Sequence, residues 1–117
     1  MPREFNRAER MAYQIQRELA VLIVRNVSDP RLHNLTISEV DVSRDLAAAT
    51  VYFAGEGIVN TEETLAVLQR ASGFFRKKLA NRIRARSVPR LKFVYDHSFD
   101  QASRLLTLID DAVIRDS

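Results

Sequence analysis

The segment Arg70–Lys92, RASGFFRKKLANRIRARSVPRLK, carries the side chains best suited to holding phosphate. It contains nine of the eighteen lysines and arginines of the chain and no aspartate or glutamate. Charge segregated in this way creates a local positive field, although the net charge of the whole chain is only +3. Solvent-facing helices usually interleave both signs of charge. The unopposed run therefore predicts a surface that binds the backbone of a nucleic acid.

Gly73 lies in this segment where the surrounding pattern is helical. A glycine inside a helix is unfavourable by roughly 1 kcal/mol relative to alanine, but it offers freedom of φ and has no side chain. We therefore predict a kink at Ala71, Ser72 and Gly73, with the first amides of the next helix open to a phosphate oxygen. The candidate phosphate contacts are Arg76, Lys77, Lys78, Arg82, Arg84, Arg86, Arg90 and Lys92.

Two aromatic residues follow the kink, where rings are sometimes used to stack on unpaired bases. Phe75, Leu79 and Ile83 recur at i, i+4 and i+8, which predicts a buried stripe. We assign Phe74 to packing at the kink, so that both phenylalanines belong to the core. The opposite, exposed side of this helix is predicted to carry Lys77, Asn81 and Arg84.

Motifs typical of catalysis are missing from the sequence. The chain has no cysteine, which excludes disulfides, thiolate catalysis and most structural zinc sites. Gly55 and Gly57 do not form a phosphate-binding glycine motif, and no serine occurs in a Gly-x-Ser-x-Gly context. His33 and His97 are isolated, without the spacing of a metal site. We therefore expect a binding protein with no catalytic residues, no metal and no cofactor.

Periodicity and capping patterns predict four helices. Asn6 with Glu9, and Asn60 with Glu63, form capping boxes that begin the first and second of them. The helices are predicted from Arg7 to about Arg25, over a short stretch after Asn60, from Phe74 to about Arg86, and over a closing stretch after Ser98.

Three strands are predicted between these helices, from alternating apolar and β-branched residues. A phase shift in the first strand indicates a bulge near Ser38 or Glu39. A short link favours an antiparallel hairpin for the first two strands. The predicted strands are Leu35–Val42, Ala47–Ala54 and Leu91–Tyr95. The order α-β-β-α-α-β-α predicts one α+β domain over residues 1–117, with helices on one face of a small sheet.

The chain also lacks the signals of export or membrane insertion. No apolar run approaches the roughly 20 residues that a membrane span needs. The N-terminus MPREFNRAER is charged from its start and lacks the apolar core of a secretory signal. We therefore expect a cytoplasmic protein with no membrane partner.

Taken together, four stretches resemble the bacterial ribosome-binding factor A family. They are DPRL at Asp29–Leu32, LTISEVDVSRDLAAATVYF, ASGFFRKKLANRIRARSVPRLKF and YDHS at Tyr95–Ser98. The resemblance runs from roughly Arg7 to Leu108 in the same order and spacing. It implies a type II KH-like fold, here with an additional C-terminal helix. Typical KH domains use a Gly-x-x-Gly loop, which is absent, whereas Ala71-Ser72-Gly73 fits the Ala-x-Gly kink of the family.

The resemblance also implies a function. The family is a cold-shock-linked group of assembly factors that bind the free small (30S) ribosomal subunit and contact its 16S rRNA. They support late maturation and processing of that rRNA and are not nucleases. The candidate phosphate contacts then become RNA contacts, and we expect a monomer away from the ribosome.

Three other functions remain open at this point. A short helix, a glycine-containing turn and a basic helix also begin the helix-turn-helix of DNA-binding regulators. An enzyme acting on RNA would assemble its site from distant residues. A protein-interaction module would not need the basic residues at all.

Overall fold

The computed structural model describes residues 6–26, 29–32, 34–55 and 60–98. Its elements follow the predicted order α-β-β-α-α-β, which confirms the type II KH-like, α+β architecture. A short 3-10 turn, Pro30–Leu32, precedes the first strand. The closing helix predicted after Ser98 falls outside the described residues. The helices are α1 (Arg7–Asn26), α2 (Thr61–Arg70) and α3 (Ser72–Arg82), and the strands are β1 (Leu35–Val42), β2 (Ala48–Gly55) and β3 (Arg90–Tyr95).

The predicted capping residues begin α1 and α2. Asn6 Oδ1 accepts a hydrogen bond of 2.8 Å from the backbone N–H of Glu9, and Asn60 Oδ1 accepts one of 3.0 Å from that of Glu63. Each bond satisfies one of the amides that a helix start leaves without a partner inside the helix. Both helix starts are therefore set by local sequence.

β2 is the central strand of a three-stranded sheet with the order β1-β2-β3. It pairs antiparallel with β1 and parallel with β3. The register of β1 shifts between Ile37 and Glu39, which confirms the predicted bulge. Gln16 of α1 donates its side-chain amide to the carbonyls of Ile37 and Ser38, at 3.2 and 3.4 Å. The bulge thus ties the first helix to the sheet.

β3 lies at one edge of the sheet, and α2 covers part of that edge. The Gln69 side chain donates to the Leu91 carbonyl at 3.1 Å and accepts from the Phe93 amide at 3.3 Å. These two bonds replace those that a further strand would make, which protects the exposed edge from pairing with another chain.

The core lies between the sheet and a single layer of helices, as predicted. α1 packs on β1, and α2 and α3 pack on β3. Rings from β2, α3 and β3 lie at the centre, where Phe53, Phe75 and Phe93 are almost completely buried. Within the described part of the chain, no helix is long and apolar enough to cross a membrane.

The prediction for the third helix was wrong at both ends. α3 begins at Ser72 rather than Phe74 and ends at Arg82 rather than about Arg86. Ile83 is extended, with φ −104° and ψ 124°, and only 4% exposed. Val88 and Pro89 are also buried, so the chain must leave the helix early to return to the core before β3 begins. Burial of these side chains outweighs the residual helical preference of the sequence.

A carboxylate clasp joins the end of β3 to the bulge in β1. Asp96 accepts a hydrogen bond of 2.6 Å from the Ser38 hydroxyl, one of 2.5 Å from the Ser98 hydroxyl and one of 3.0 Å from the Ser98 amide. The bond from Ser38, followed by those from Ser98, lowers the pKa of Asp96 below its ordinary value. The clasp spans the central strand and holds the two outer strands together.

We predict that Asp96→Asn lowers the free energy of unfolding by about 1 kcal/mol at neutral pH, because its bonds lose a charged acceptor. A lowered pKa stabilises the fold above the unfolded pKa of about 4, and this contribution is lost as pH falls through the folded value. Urea unfolding at a series of pH values should therefore show the two proteins converging in acid. Asp41→Asn, an exposed carboxylate on β1, is the control. If the free energies of unfolding of the parent protein and Asp96→Asn differed by the same amount at all pH values, the charged clasp would be contradicted.

Candidate nucleic-acid interface

The predicted kink between α2 and α3 is a single residue, Ala71. Its backbone remains near the helical region, with φ −84° and ψ −1°, and its amide donates to the carbonyls of Val67 and Leu68 at 3.1 Å. Ser72 and Gly73 are not part of the break but form the first turn of α3. No side chain among the described residues caps this turn. The start of α3 therefore presents backbone amides without a competing side-chain oxygen.

The fold itself does not require a glycine at position 73. Its φ lies outside the left-handed region that favours glycine, and a Cβ built there would have no heavy atom within 4 Å. Freedom of φ, the sequence-based reason for this glycine, is therefore not used. The missing side chain of Gly73 instead leaves the backbone exposed to solvent at the start of a basic helix. A glycine in such a place allows a partner to approach the backbone closely.

We predict that Gly73→Ala stabilises the isolated protein by about 0.5–1 kcal/mol, because alanine is the better helix former and its methyl group meets open space. Thermal or urea unfolding of the purified variant measures the change. Ala80→Gly, at an exposed position of the same helix, is the reverse control and should destabilise by a similar amount. Destabilisation by Gly73→Ala would show that the glycine is needed for folding.

The predicted contacts on α3 differ in how free their charges are. Arg76 donates to the Val88 carbonyl at 2.9 Å, so part of its guanidinium holds the loop after the helix. Arg82 forms an ion pair with Glu18 of α1. Lys77 is exposed on the polar side of the helix, as predicted. Of these three, Lys77 is the side chain best placed to meet a phosphate.

Phe74 departs from its predicted place in the core. Its side chain is 41% exposed, whereas Phe75 is completely buried. The two rings meet edge to face, with centroids 5.8 Å apart. The ammonium of Lys78 lies 5.6 Å from the centroid of the Phe74 ring. Neighbouring residues of a helix lie about 100° apart around its axis, so the stripe that buries Phe75 leaves Phe74 at the surface, beside Gly73.

Arg84 and Arg86 lie on the loop between α3 and β3 rather than on a helix. The loop is anchored by buried Ile83 at one end and by Val88 at the other, where Arg76 holds the Val88 carbonyl. Between these anchors the residues from Arg84 to Ser87 are exposed. Both arginines line a cleft of about 600 Å³ against the start of α1.

Arg90 and Lys92 lie on another surface. Leu91 and Phe93 of β3 face the helices and are buried, so the alternation of the strand places Arg90 and Lys92 on the opposite face of the sheet. The eight predicted contacts thus fall into three groups: α3, the loop after it, and the far face of β3.

Two further arginines were not predicted to take part. Arg7 and Arg10, from the first turns of α1, line the same cleft as the arginines of the loop. The signal present in the sequence is their spacing, since Arg7, Arg10 and Gln14 fall at i, i+3 and i+7 on one side of α1. No short-range sequence pattern indicates that they lie close to a loop more than 70 residues further along the chain.

The sequence profile of the ribosome-binding factor A family matches residues 7–109. The chain belongs to this family. It is 50% identical to ribosome-binding factor A of Chromohalobacter salexigens over 117 residues, which covers 97% of this chain and 89% of the relative. It is also 50% identical to that of Alkalilimnicola ehrlichii over 118 residues, covering 99% and 91%.

Solved structures of the same family share the fold. The crystal structure of ribosome-binding factor A from Thermus thermophilus is 34% identical, covers 75% of this chain and 93% of its own, and has a TM-score of 0.69. A homology model of the Thermus thermophilus protein, fitted into a cryo-EM map of a 30S–RbfA complex, is also 34% identical. It covers 79% of this chain and 97% of its own, with a TM-score of 0.67.

Proposed function

We propose that this protein binds the free small (30S) ribosomal subunit through its 16S rRNA and supports late maturation and processing of that rRNA without catalysing a reaction itself. In this proposal it acts in the cytoplasm and is a monomer away from the ribosome. Support comes from its family and from the Thermus thermophilus relative that was fitted into a 30S complex.

The observation that carries the proposal is the set of exposed cations on α3 and on the loop that follows it. Lys77, Arg84 and Arg86 are exposed, and no acidic residue occurs between Arg70 and Lys92. An RNA backbone supplies closely spaced phosphates, and each phosphate that a cation neutralises releases counterions. Such contacts give affinity and salt dependence more than sequence preference.

The start of α3 adds a second element to the proposed contact. Backbone amides at an uncapped helix start attract phosphate, and the helix dipole is positive there. Gly73 leaves this backbone open, and Lys78 stands one turn further along the helix. In the absence of a Gly-x-x-Gly loop, RNA is gripped by this turn together with the basic side chains.

Co-sedimentation on sucrose gradients tests the proposal. The protein should comigrate with free small subunits at low salt and dissociate progressively as salt rises, because phosphate contacts weaken with ionic strength. Large subunits and assembled ribosomes in the same gradient are the controls. If the protein stays at the top of the gradient at every salt concentration, the proposal is wrong.

A competition experiment and a cleavage assay test the DNA-binding and the enzymatic alternatives. Folded fragments of the rRNA should displace a labelled RNA more effectively than duplex DNA of equal length, whereas preference for a specific duplex would favour a DNA-binding regulator. RNA incubated with the purified protein should stay intact, and cleavage would indicate an enzyme.

A further inference from the structure

The arginine cleft lies where three segments distant in sequence meet. Arg7 and Arg10 come from α1, and Arg84 and Arg86 come from the loop after α3. The turn between β1 and β2 closes the third side and contributes Asp45, the one acidic residue among the described residues of the lining. The volume of about 600 Å³ is in the range of about 300–1,000 Å³ typical of small-ligand sites.

The Asp45 carboxylate is hydrogen-bonded within the turn between β1 and β2. Its carboxylate accepts hydrogen bonds from the Ser43 hydroxyl at 2.6 Å and from the Ala47 amide at 3.0 Å. These bonds, the Ser43 bond first, lower the pKa of Asp45, so it stays ionised as the acceptor that shapes the turn. Among the described residues of the lining, Arg7, Arg84 and Arg86 outnumber this one carboxylate, so this part of the cleft favours an anion. Guanidinium forks match the oxygen geometry of phosphate.

The cleft also has an apolar part, which a site for bare phosphate would not need. Met11, only 7% exposed, lines it together with Leu46, which is packed against the core. Leu46 is held there by a left-handed backbone with φ 61°, a conformation rare for leucine. Gln14, a polar residue, also lines the cleft. An anionic group, a flat apolar body and polar edges are together the features of a nucleotide.

We propose that this cleft binds one unpaired nucleotide of RNA, with its phosphate on Arg7 and Arg84 and its base against Met11 and Leu46. The proposal rests on the proposed function, since Arg84 belongs to the exposed cations assigned to RNA above. Bases of a duplex are stacked inside the helix and do not reach a concave site, whereas unpaired bases are free to enter and to stack on guanidinium planes. The cleft thus selects single-stranded RNA.

The test uses the full chain and a fluorescent single-stranded RNA of about eight nucleotides, with the same RNA annealed as a duplex. Arg7→Glu should weaken binding of the single strand about tenfold, the loss expected for one charge-assisted contact, and binding of the duplex by less than about twofold. Arg7→Gln should show the same preference with a smaller loss. Both variants should fold, because Arg7 is exposed at the start of α1, where a negative charge is favourable.

Arg17→Glu is the matched control. It makes the same change of charge on an exposed residue of α1, but Arg17 lies over the Tyr13 ring and does not line the cleft. It should leave the single-strand preference intact. The proposal is overturned if Arg7→Glu and Arg17→Glu have equal effects, or if single strand and duplex lose affinity equally.

Two more ligands distinguish the source of the nucleotide. Adenosine monophosphate and inorganic phosphate should each compete with the single strand only at concentrations at least about 100-fold higher than unlabelled RNA, because they lack the neighbouring phosphate contacts. A mononucleotide that binds more tightly than RNA would overturn the assignment to RNA. Failure here leaves small-subunit binding by the parent protein intact, whereas failure of the proposed function appears in the sucrose gradients.

Discussion

Replacing Phe75 by alanine is expected to lower the free energy of unfolding by about 3–5 kcal/mol. The ring is completely buried, 6.0 Å from that of Phe93 and 5.8 Å from that of Phe74, measured between centroids. Its loss leaves a cavity between α3 and β3, which neighbouring side chains fill only in part. A small domain is stable by about 5–15 kcal/mol, so the variant should be close to unfolding. Urea titration followed by circular dichroism measures the effect.

Phe74→Ala is the matched control, because it removes the same ring from the adjacent residue of the same helix. With 41% of its surface exposed, Phe74 should contribute less than about 1.5 kcal/mol. Equal losses for the two variants would mean that the inner face of α3 is assigned wrongly. If Phe74→Ala keeps the fold but weakens RNA binding, the exposed ring contributes to the interface beside Gly73.

The double substitution Lys77→Glu and Arg84→Glu is expected to weaken binding to free small subunits by about 100-fold while the fold persists. Two charge-assisted contacts are removed, at about 1.5 kcal/mol or more each, and the new carboxylates repel phosphate. Both positions are exposed, so their replacement leaves the core unchanged. Subunit affinity is measured by filtration or by light scattering over a series of salt concentrations.

The salt dependence of subunit affinity distinguishes the loss of two phosphate contacts from a general effect of changed net charge. Loss of two phosphate contacts should reduce the slope of log affinity against log salt by about 1.4–1.8. The control is Arg17→Glu with Arg25→Glu, two exposed arginines of α1 that give the same change in net charge. It should alter affinity much less. Unchanged subunit binding by the first pair would contradict the electrostatic mechanism.

Not every positive charge of the segment Arg70–Lys92 is available to a partner. Arg82 is paired with Glu18 and Arg76 supports the loop, so part of the positive charge serves the fold. Lys77 and the loop arginines Arg84 and Arg86 remain exposed, as do Arg90 and Lys92 on the far face of the sheet. A charge run in a sequence therefore overestimates the number of free cations.

Local physics made much of the fold predictable from the sequence. Asn6 and Asn60 cap their helices as predicted, because a capping bond reaches only three residues along the chain. The bulge between Ile37 and Glu39 was visible as a phase shift, since the side chains of a strand alternate between two faces. The first helix, predicted from Arg7 to about Arg25, followed from helical periodicity and extends over Arg7–Asn26. The family, too, was recognised from the sequence alone and is confirmed.

Tertiary structure decided the rest. The sequence determined that a basic, glycine-containing helix pair exists, but not that α3 ends at Arg82, because Ile83 and Val88 are drawn into a core assembled from distant elements. This early end turns the next residues into a loop and brings Arg84 to Arg7 across the cleft. Contacts between residues so far apart are not encoded in any local period or spacing. They arise only when burial of apolar side chains fixes the path of the whole chain.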